Sequence, residues 1–540
     1  MTNLAAQQRL VAALLDPRRY PHAARKVRVI ETHISWVLLA GRYAYKIKKA
    51  VDLGFLDFTT LQARGFYCAE ELRLNSRLAP QIYLDAIPIG GSHDHPLFGR
   101  EPAIEYAVRM RRFASARLMD KLVAQGLVMP QHLDALAATI ARFHGALPPA
   151  AANSAFGTAA RIRAAAMQNF DQMEALLTEQ KDRSALSAIR KLTETEYAAR
   201  EKTFGERRAQ GCVRECHGDL HLGNIALIGG EPVPFDGIEF NAELRWLDVM
   251  NEAAFPVMDL LQHGQQGLAF RFLNAYLEAT GDYAGIATLR FYLAYHAMVR
   301  AKISAIRASQ PGRHQRARAG DLVSCRGYLA LAEQCLRERR PALIITHGLP
   351  GSGKTTFAQM ALERLGAIRV RSDVERKRLY GLGALEDSRT RMDIYSKEAT
   401  RRTYVRLEEL SRIILAAGFP VIVDAAFLKH GERERFRTIA QDMQAPFAIT
   451  SLHAPDAALR TRIARRRAAG QDASEANEQV LGLLQAAEEP LAAEEQAWSA
   501  QFFGEEGTQP FAAPEGWDRL QKLLAQTPPA PKPPTPKPRA

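Results

Sequence analysis

The chain has few cysteines and no long apolar run. These two features argue against a disulfide-rich, a zinc-binding or a membrane-spanning protein. Only five of its 540 residues are cysteine, an odd number whose spacing forms neither a paired CxxC set nor a Cys/His group suited to zinc. We therefore expect reduced thiols in a reducing compartment. No stretch of about 18 apolar residues is present, and the N-terminus lacks the basic start and continuous apolar segment of a signal peptide. These absences predict a cytoplasmic protein without a membrane span.

Biased composition is missing until the last residues of the chain. Hydrophobic residues make up 47% and charged residues 24%, so most of the chain is able to bury a core. Single cores stop growing near about 250–300 residues, which predicts two or three domains for this length. Only residues 527–540, TPPAPKPPTPKPRA, have the proline-rich, basic composition of a disordered extended tail.

Acidic residues are outnumbered by basic ones. The chain has 72 Lys and Arg against 59 Asp and Glu, for a formal charge of +13. A net positive charge favours anionic partners such as nucleotides, phosphorylated substrates or nucleic acid. The net charge alone does not distinguish among these partners.

One group of oxygen-bearing side chains lies near the middle of the chain. Cys216–Asn224 reads CHGDLHLGN, and Phe235–Gly237 reads FDG. Phosphoryl transfer needs a carboxylate near the attacking hydroxyl and oxygen ligands for magnesium, and Asp219, Asn224 and Asp236 supply such a set. The residues between them read as a β hairpin that would bring Asn224 and Asp236 side by side. The alternative interpretation is a polar loop without chemistry.

This group resembles the motif of the aminoglycoside phosphotransferases, small-molecule kinases that share the protein-kinase fold, and the resemblance covers roughly residues 25–335. It implies that Asp219 is the catalytic base and that Asn224 and Asp236 hold magnesium. His217 would shape the catalytic loop.

The same resemblance implies a phosphate-binding lysine on an early strand. Lys46 would contact the α- and β-phosphates of ATP, with Glu71 on the following helix as its ion-pair partner. Lys48 and Glu70 stay open as alternatives for these two roles. No GxGxxG motif precedes Lys46, and the corresponding turn has only Gly41. The loop over the phosphates must therefore use other backbone donors or leave the phosphates more exposed to solvent.

A complete P-loop follows in the second half. The apolar run Ala342–Thr346 reads as a buried parallel strand, and GLPGSGKTT over Gly348–Thr356 comes directly after it. In such a loop the backbone N–H groups face the phosphates, Lys354 reaches the β- and γ-phosphates, and the Thr355 hydroxyl binds magnesium. The residues expected to bind nucleotide are Gly348, Pro350, Gly351, Ser352, Gly353, Lys354, Thr355 and Thr356.

Two further strands each deliver a carboxylate. Ile368–Arg371 reads as a strand that places Asp373 at its end, where a ligand would bind. Phe419–Asp424 is an apolar strand ending in Asp424, in the position of the second carboxylate around magnesium. The alternative role for Asp373 is a purely structural one, as the N-cap of the following helix.

This second half looks like the small P-loop kinases of the gluconate kinase, chloramphenicol phosphotransferase and polynucleotide kinase type, and like AAA family ATPases, over about residues 340–500. The resemblance implies that Asp373 activates the acceptor hydroxyl and that Arg466 or Arg462 is a lid arginine over the transferring phosphoryl group. A solvated basic helix face is the alternative for these arginines.

The whole chain resembles proteins described as bifunctional aminoglycoside phosphotransferase and ATP-binding proteins. We predict an α+β protein-kinase-like domain over residues 1–338, an α/β P-loop domain with a parallel sheet over 339–525, and a disordered tail over 526–540. ATP and Mg²⁺ are the expected cofactors.

Both halves point to ATP-dependent phosphorylation of a hydroxyl, preferably on a small molecule. Aminoglycoside kinases commonly present an acidic face to polycationic substrates, so this basic chain favours a neutral or anionic acceptor at least as much. A nucleic-acid-end kinase is the second hypothesis, from the charge and the arginines of Arg313–Arg318. The third is that one domain is a nucleotide sensor that regulates the other. The sequence leaves the oligomeric state open.

Overall fold

The computed structural model describes residues 4–54, 56–310, 312–386, 388, 394, 396–469, 473–475, 477–504, 511 and 513–526. The chain forms two compact units. The first comprises residues 1–190, 197–263 and 295–329, and the second comprises residues 191–196, 264–294 and 330–540. The domain boundary at residues 338 and 339 stays a prediction. Residues 527–540 of the expected disordered tail lie outside the described residues.

An antiparallel sheet and one long helix form the N-terminal part of the first unit. Its elements are α1 (Leu4–Ala13), β1 (Val27–Glu31), β2 (Ser35–Ala40), β3 (Tyr43–Lys48), α2 (Leu61–Asn75), β4 (Tyr83–Gly91), β5 (Pro96–Phe98) and β6 (Glu105–Arg111). Within the described residues the six strands pair in the order β1-β2-β3-β6-β4-β5. A two-residue turn joins β2 to β3, and Gly41 in it has a φ of 58°, a left-handed conformation that glycine adopts readily. The Thr60 hydroxyl caps the start of α2.

Residues 119–337 are mostly helical. Their elements are α3 (Met119–Ala124), α4 (Pro130–Ala146), α5 (Ala159–Glu174), α6 (Gln180–Ala209), β7 (Val213–Glu215), β8 (Ile225–Ile228), β9 (Glu231–Pro234), α7 (Ala242–Arg245), β10 (Trp246–Asp248), α8 (Val249–Gln262), α9 (Gln266–Thr280), α10 (Ile286–Ser309) and α11 (Gln315–Arg337). β8 and β9 form the expected hairpin. An antiparallel sheet followed by helices that carry this hairpin confirms the predicted α+β protein-kinase-like fold of the first unit.

The second unit is built on a parallel sheet. Its remaining elements are β11 (Ala342–His347), α12 (Lys354–Leu365), β12 (Ile368–Arg371), α13 (Ser372–Leu379), α14 (Lys397–Ala416), β13 (Pro420–Asp424), α15 (His430–Asp442), β14 (Phe447–His453), α16 (Asp456–Ala469), α17 (Glu478–Ala486), α18 (Ala493–Gln496), β15 (Ser499–Phe503) and α19 (Pro514–Leu524). The strand order is β12-β13-β11-β14-β15, and every neighbouring pair is parallel.

The central strand of this sheet, β11, is buried along its whole length. Because the strands are parallel, their carboxyl ends meet at one edge of the sheet, where ligands bind in folds of this kind. The predicted α/β P-loop fold is therefore confirmed. Among the helices of the described ranges, none has a stretch long and apolar enough to cross a membrane.

Candidate active sites

Strand β3 presents two lysines to one glutamate of α2. Lys46 and Lys48 are two residues apart, so their side chains lie on the same face of the strand. Lys46 Nζ is 2.8 Å from Glu71 Oε1, and Lys48 Nζ is 2.7 Å from Glu71 Oε2. Burial alone would raise the pKa of Glu71, but the two ammonium groups lower it to about 2. Both oxygens of this buried carboxylate are therefore occupied by cations.

The same lysines contact the segment that follows β9. Lys46 Nζ lies 2.6 Å from Asp236 Oδ1, and Lys48 is paired with the buried Glu239. Burial disfavours the charged form of both lysines, but the facing carboxylates raise their pKa values above the ordinary value. Ion pairs thus connect β3, α2 and residues 236–239.

The neighbouring Glu70 faces a different group. Its carboxylate accepts hydrogen bonds from Arg73 at 2.8 and 2.9 Å. In the described part of the chain it has no ion pair with Lys46 or Lys48, both of which contact Glu71. The two lysines differ in their second partner, because only Lys46 contacts Asp236. This geometry favours Lys46 over Lys48 and Glu71 over Glu70 for the two roles.

Asp219 lies in the loop between β7 and β8. Asn224 Nδ2 donates to the Asp219 carboxylate at 2.9 Å and to its backbone carbonyl at 3.0 Å. His221 Nε2 is 3.5 Å from the same carboxylate. Burial raises the pKa of Asp219, but its contacts with His221, and the nearby His217 and Arg300, outweigh burial and lower the pKa below its ordinary value. The carboxylate is therefore ionised at neutral pH, as a general base must be.

A carboxylate from the helical region holds this loop by its backbone. The Glu252 carboxylate on α8 accepts the N–H of His217 at 2.8 Å and the N–H of Gly218 at 2.7 Å. His144 Nε2 on α4 lies 3.1 Å from the same carboxylate. Glu252 and His144 were not predicted from the sequence, because no local motif marks either residue.

The hairpin brings Asn224 next to the residue before Asp236. The N–H of Phe235 donates to the Asn224 carbonyl at 2.9 Å. His217 Nε2 contacts the Phe235 carbonyl at 2.9 Å, and the Asp236 N–H donates to the Tyr83 hydroxyl at 3.1 Å. Asp236 has a φ of 63°, which is uncommon for a residue other than glycine and turns the chain sharply after β9.

The residues of this site fit a bound magnesium ion. Asn224 uses its amide nitrogen on Asp219, and its amide oxygen accepts no hydrogen bond within the described residues. The Asp236 side chain is 44% exposed, so its second oxygen is accessible. Amide and carboxylate oxygens are the ligands that Mg²⁺ prefers.

The turn between β11 and α12 forms the P-loop. Gly351 and Gly353 have φ values of 85° and 97°, in the left-handed region. A Cβ at Gly353 would lie 2.7 Å from the Phe511 ring, so a side chain does not fit there. Pro350 and Ser352 are buried and Thr356 is exposed. Because α12 begins at Lys354, its first N–H groups have no helical partner and are free to bind an anion.

Lys354 lies across the loop. Its Nζ donates to the carbonyls of Gly348 and Leu349, each at 2.8 Å. Burial lowers the pKa of this lysine to about 8. The ammonium group is thus held inside the loop by neutral carbonyls, where the phosphates of a nucleotide would give it an anionic partner.

Nucleotide binding at the P-loop is expected to weaken as the pH rises above about 8, the pKa of Lys354. Bound phosphates favour the charged amine, so binding above this pKa takes up a proton, and affinity falls by up to about tenfold per pH unit. Calorimetry of ADP binding in buffers of different ionisation enthalpy measures this proton uptake. The Lys354→Met variant gives the part of the uptake that comes from groups other than Lys354. Equal proton uptake in both proteins would contradict the assignment.

Asp424, at the end of β13, is the second candidate magnesium ligand of the P-loop site. Burial raises its pKa, and Arg371 and Thr355 are among the groups that oppose the shift. Its Oδ2 atom is buried without a hydrogen-bond partner within the described residues, and so is Ser352 Oγ. An orphaned carboxylate oxygen beside the Thr355 hydroxyl fits a divalent cation, because burying it unpaired costs free energy.

Asp373 lies at the same edge of the sheet as Asp424. Arg371 of β12 is opposite Asp424 of β13 in the parallel register, and Asp373 follows two residues later. Helix α13 begins at Ser372, so Asp373 is inside the helix and not at its N-cap. The structure thus brings Asp373 and Asp424 to the edge where the P-loop begins.

The two candidate lid arginines differ in their surroundings. Arg462 on α16 donates to the carbonyls of Gly351 and Gly504, each at 3.2 Å, so it supports the P-loop backbone. Arg466 is half-buried one helical turn further on, and its charge contributes to lowering the pKa of Lys354. Arg466 therefore has the more favourable position for a role at the phosphates.

Known proteins are similar to both parts of the chain. The model of an AAA domain family, AAA_33, matches residues 343–491. Among solved structures, a choline/ethanolamine kinase family protein from Mesorhizobium loti is 13% identical and covers 62% of this chain and 98% of its own, with a TM-score of 0.36. A gluconokinase from Sinorhizobium meliloti 1021 is 20% identical and covers 35% of this chain and 92% of its own, with a TM-score of 0.24. The fold assignment depends on the sheet topologies and not on these low scores.

A relative matches across both units. The uncharacterized protein Rv2004c of Mycobacterium tuberculosis (strain ATCC 25618 / H37Rv) is 32% identical over 457 residues, which cover 83% of this chain and 88% of the relative. The AAA domain match and the P-loop geometry make the second unit a P-loop nucleotide-binding domain. By its identity over most of its length, the chain belongs to the family of Rv2004c.

Proposed function

We propose that the chain is an ATP-dependent phosphotransferase with two Mg·ATP sites, each of which transfers the γ-phosphate to a hydroxyl of a small molecule. The observation that carries this proposal is that each unit places a buried lysine near side-chain oxygens, at least one of which accepts no hydrogen bond within the described residues. These are Lys46 with Asn224 and Asp236 in the first unit, and Lys354 with Asp424 in the second.

In the first unit, Asp219 accepts the proton of the acceptor hydroxyl as its oxygen attacks the γ-phosphorus and ADP leaves. Asn224 orients the Asp219 carboxylate through its 2.9 Å hydrogen bond. Lys46, held by Glu71, neutralises charge on the α- and β-phosphates. Asn224 and Asp236 would hold magnesium, which would supply neutralisation of the charge that develops on the phosphates.

In the second unit, the P-loop N–H groups and Lys354 bind the phosphates. Thr355 and Asp424 would hold magnesium, which would supply the same charge neutralisation as in the first unit. Asp373 accepts the proton of the acceptor hydroxyl, and Arg466 stabilises the transferring phosphoryl group. Arg462 keeps the loop in place through its bond to the Gly351 carbonyl.

Transfer of labelled phosphate from ATP to a panel of neutral, anionic and cationic alcohols tests the proposal on the full chain. Asp219→Asn and Lys354→Met each remove one site and assign any product to its unit. We expect product formation that depends on magnesium, with a neutral or anionic acceptor preferred. ATP binding by both units with transfer by only one would assign a sensor role to the other. Transfer by neither unit to any acceptor would refute the proposal.

An end kinase of nucleic acid is the second candidate. Arg316 and Arg318, at the start of α11, are exposed, which suits contact with phosphates. The nearby Arg313 is instead paired with Asp321 at 2.7 Å. Binding of a single-stranded oligonucleotide that weakens steeply with salt would favour this candidate, and salt-independent or absent binding would exclude it.

A further inference from the structure

Helix α9 belongs to the second unit although it precedes the P-loop in the chain. Its Asn274 side chain bonds to β12, the edge strand of the parallel sheet, at both amide atoms. Asn274 Nδ2 donates to the Ala367 carbonyl at 2.9 Å, and the Arg369 N–H donates to Asn274 Oδ1 at 2.6 Å. The Tyr283 hydroxyl, in the turn after α9, donates to the Arg369 carbonyl at 3.3 Å. These bonds fix α9 beside the strand that leads to Asp373.

One turn along α9, Glu278 binds two arginines of the same strand. Its carboxylate accepts from Arg369 Nη2 at 3.0 Å and from Arg371 Nη1 at 2.9 Å. The Glu278 side chain is 21% exposed and the arginines are more buried. Burial raises the pKa of Glu278, but the two guanidinium groups lower it below the ordinary value. These are charge-assisted bonds in a water-poor setting, where losing one partner is costly.

The other side of the Arg371 guanidinium faces Asp424. Arg371 Nε is 3.8 Å from Asp424 Oδ2, which is too far for a hydrogen bond. That oxygen has no hydrogen-bond partner in the described part of the second unit. A guanidinium and a buried carboxylate at this separation attract each other strongly. Another contact of Arg371 must therefore keep its guanidinium from reaching hydrogen-bond distance of Asp424. Glu278, bonded to the Nη1 end, is placed to do so.

We propose that Glu278 is a positioning residue of the P-loop site, which holds Arg371 away from Asp424 and so leaves the Asp424 carboxylate available to Mg²⁺. This inference rests on the proposed Mg·nucleotide site. Without the Glu278 charge, Arg371 is a buried cation with one acidic neighbour fewer. It would move about 1 Å to hydrogen-bond Asp424 and compete with the metal.

Calorimetric titration of the full chain with ADP at increasing MgCl₂ concentration tests this role without any turnover. The Lys354→Met variant, titrated in parallel, gives the binding of the first unit, which is subtracted. In Glu278→Gln, we expect the Mg²⁺ concentration for half-maximal ADP binding at the P-loop to rise about tenfold, as for other groups that orient a metal ligand. Glu363→Gln is the matched control. Glu363, in the last turn of α12, pairs with Arg271 of α9 at 2.8 Å and has no ion pair with Arg371 within the described residues.

A second change separates positioning from simple stabilisation. Adding Arg371→Gln to Glu278→Gln removes the competing cation, so the half-maximal Mg²⁺ concentration is expected to return toward that of the wild type. An unchanged Mg²⁺ dependence in Glu278→Gln, or a loss of ADP binding that the second substitution does not reverse, would overturn the proposal.

If Glu278→Gln does not fold, the Arg371→Gln variant alone tests the proposed role of Glu278. It is expected to lower the half-maximal Mg²⁺ concentration, and an unchanged or higher value would overturn the role of Glu278. Failure of the proposed nucleotide site is visible separately, because the wild type would then show no more ADP binding than Lys354→Met.

Discussion

Replacing Asp219 with asparagine is expected to lower kcat for phosphoryl transfer at the first site by about 10²–10⁴-fold, the range for loss of a general base. Asparagine keeps the size of the side chain and its contact with Asn224, but it cannot accept the hydroxyl proton. The KM for ATP is expected to stay nearly unchanged, because Lys46 and Asp236 are untouched. Steady-state transfer in a Lys354→Met background isolates this site.

Asp85→Asn is the matched control for this substitution. Asp85 lies in the same unit and pairs with Arg109 at 2.6 Å on a partly exposed strand. Within the described residues it has no hydrogen bond or ion pair with the Asp219 loop. It is expected to leave kcat unchanged. Retention of full kcat in Asp219→Asn would remove Asp219 as the base, and a rise in the KM for ATP of the same size would point to a lost nucleotide contact.

Replacing Glu71 with glutamine is expected to lower the free energy of unfolding of the first unit by about 3–5 kcal/mol, the usual cost of breaking a buried ion pair from one side. Both carboxylate oxygens of Glu71 are bonded to lysines, so the substitution leaves Lys46 and Lys48 buried with one partner each. Urea unfolding measures the loss, and hydrogen exchange in peptides from β3 and α2 identifies the unit that unfolds.

Glu70→Gln is the control at the adjacent position. Glu70 pairs with the half-exposed Arg73, so a change below about 1 kcal/mol is expected. Similar losses for both substitutions would contradict the difference in burial between the two carboxylates.

The stability that Glu71 contributes also has a defined pH dependence. Its pKa is lowered in the folded chain to about 2, so its contribution is complete above the ordinary carboxylate pKa and is lost as the pH falls toward about 2. In Glu71→Gln this part of the acid destabilisation is expected to be absent.

Local motifs account for what could be predicted from sequence. The P-loop depends on glycine, lysine and threonine spacing within nine residues. Asp424 ends an apolar run, and Asp373 follows two residues after a short strand pattern. Asp219, Asn224 and Asp236 are close along the chain and joined by a hairpin. For all of these, short-range backbone geometry determines which side chains meet.

Contacts across long chain separations could not be predicted in the same way. The sequence pattern left two lysines, Lys46 and Lys48, and two glutamates, Glu70 and Glu71, as alternatives. The ion pairs between β3 and α2 show that both lysines share Glu71. Glu252 had no motif to mark it, because its role is to accept backbone N–H groups of a loop more than 30 residues earlier.

The sequence by itself determined that the chain has a P-loop and an Asp, Asn and Asp set suited to phosphoryl transfer, since both are encoded within single turns and hairpins. Only the tertiary structure decided that α9 packs beside β12. It also decided that Arg371 lies between two carboxylates, bonded to Glu278 and facing Asp424. The physical reason is that buried charges choose their partners by proximity after packing, and hydrophobic periodicity shows which face of a helix is buried but not which strand it meets.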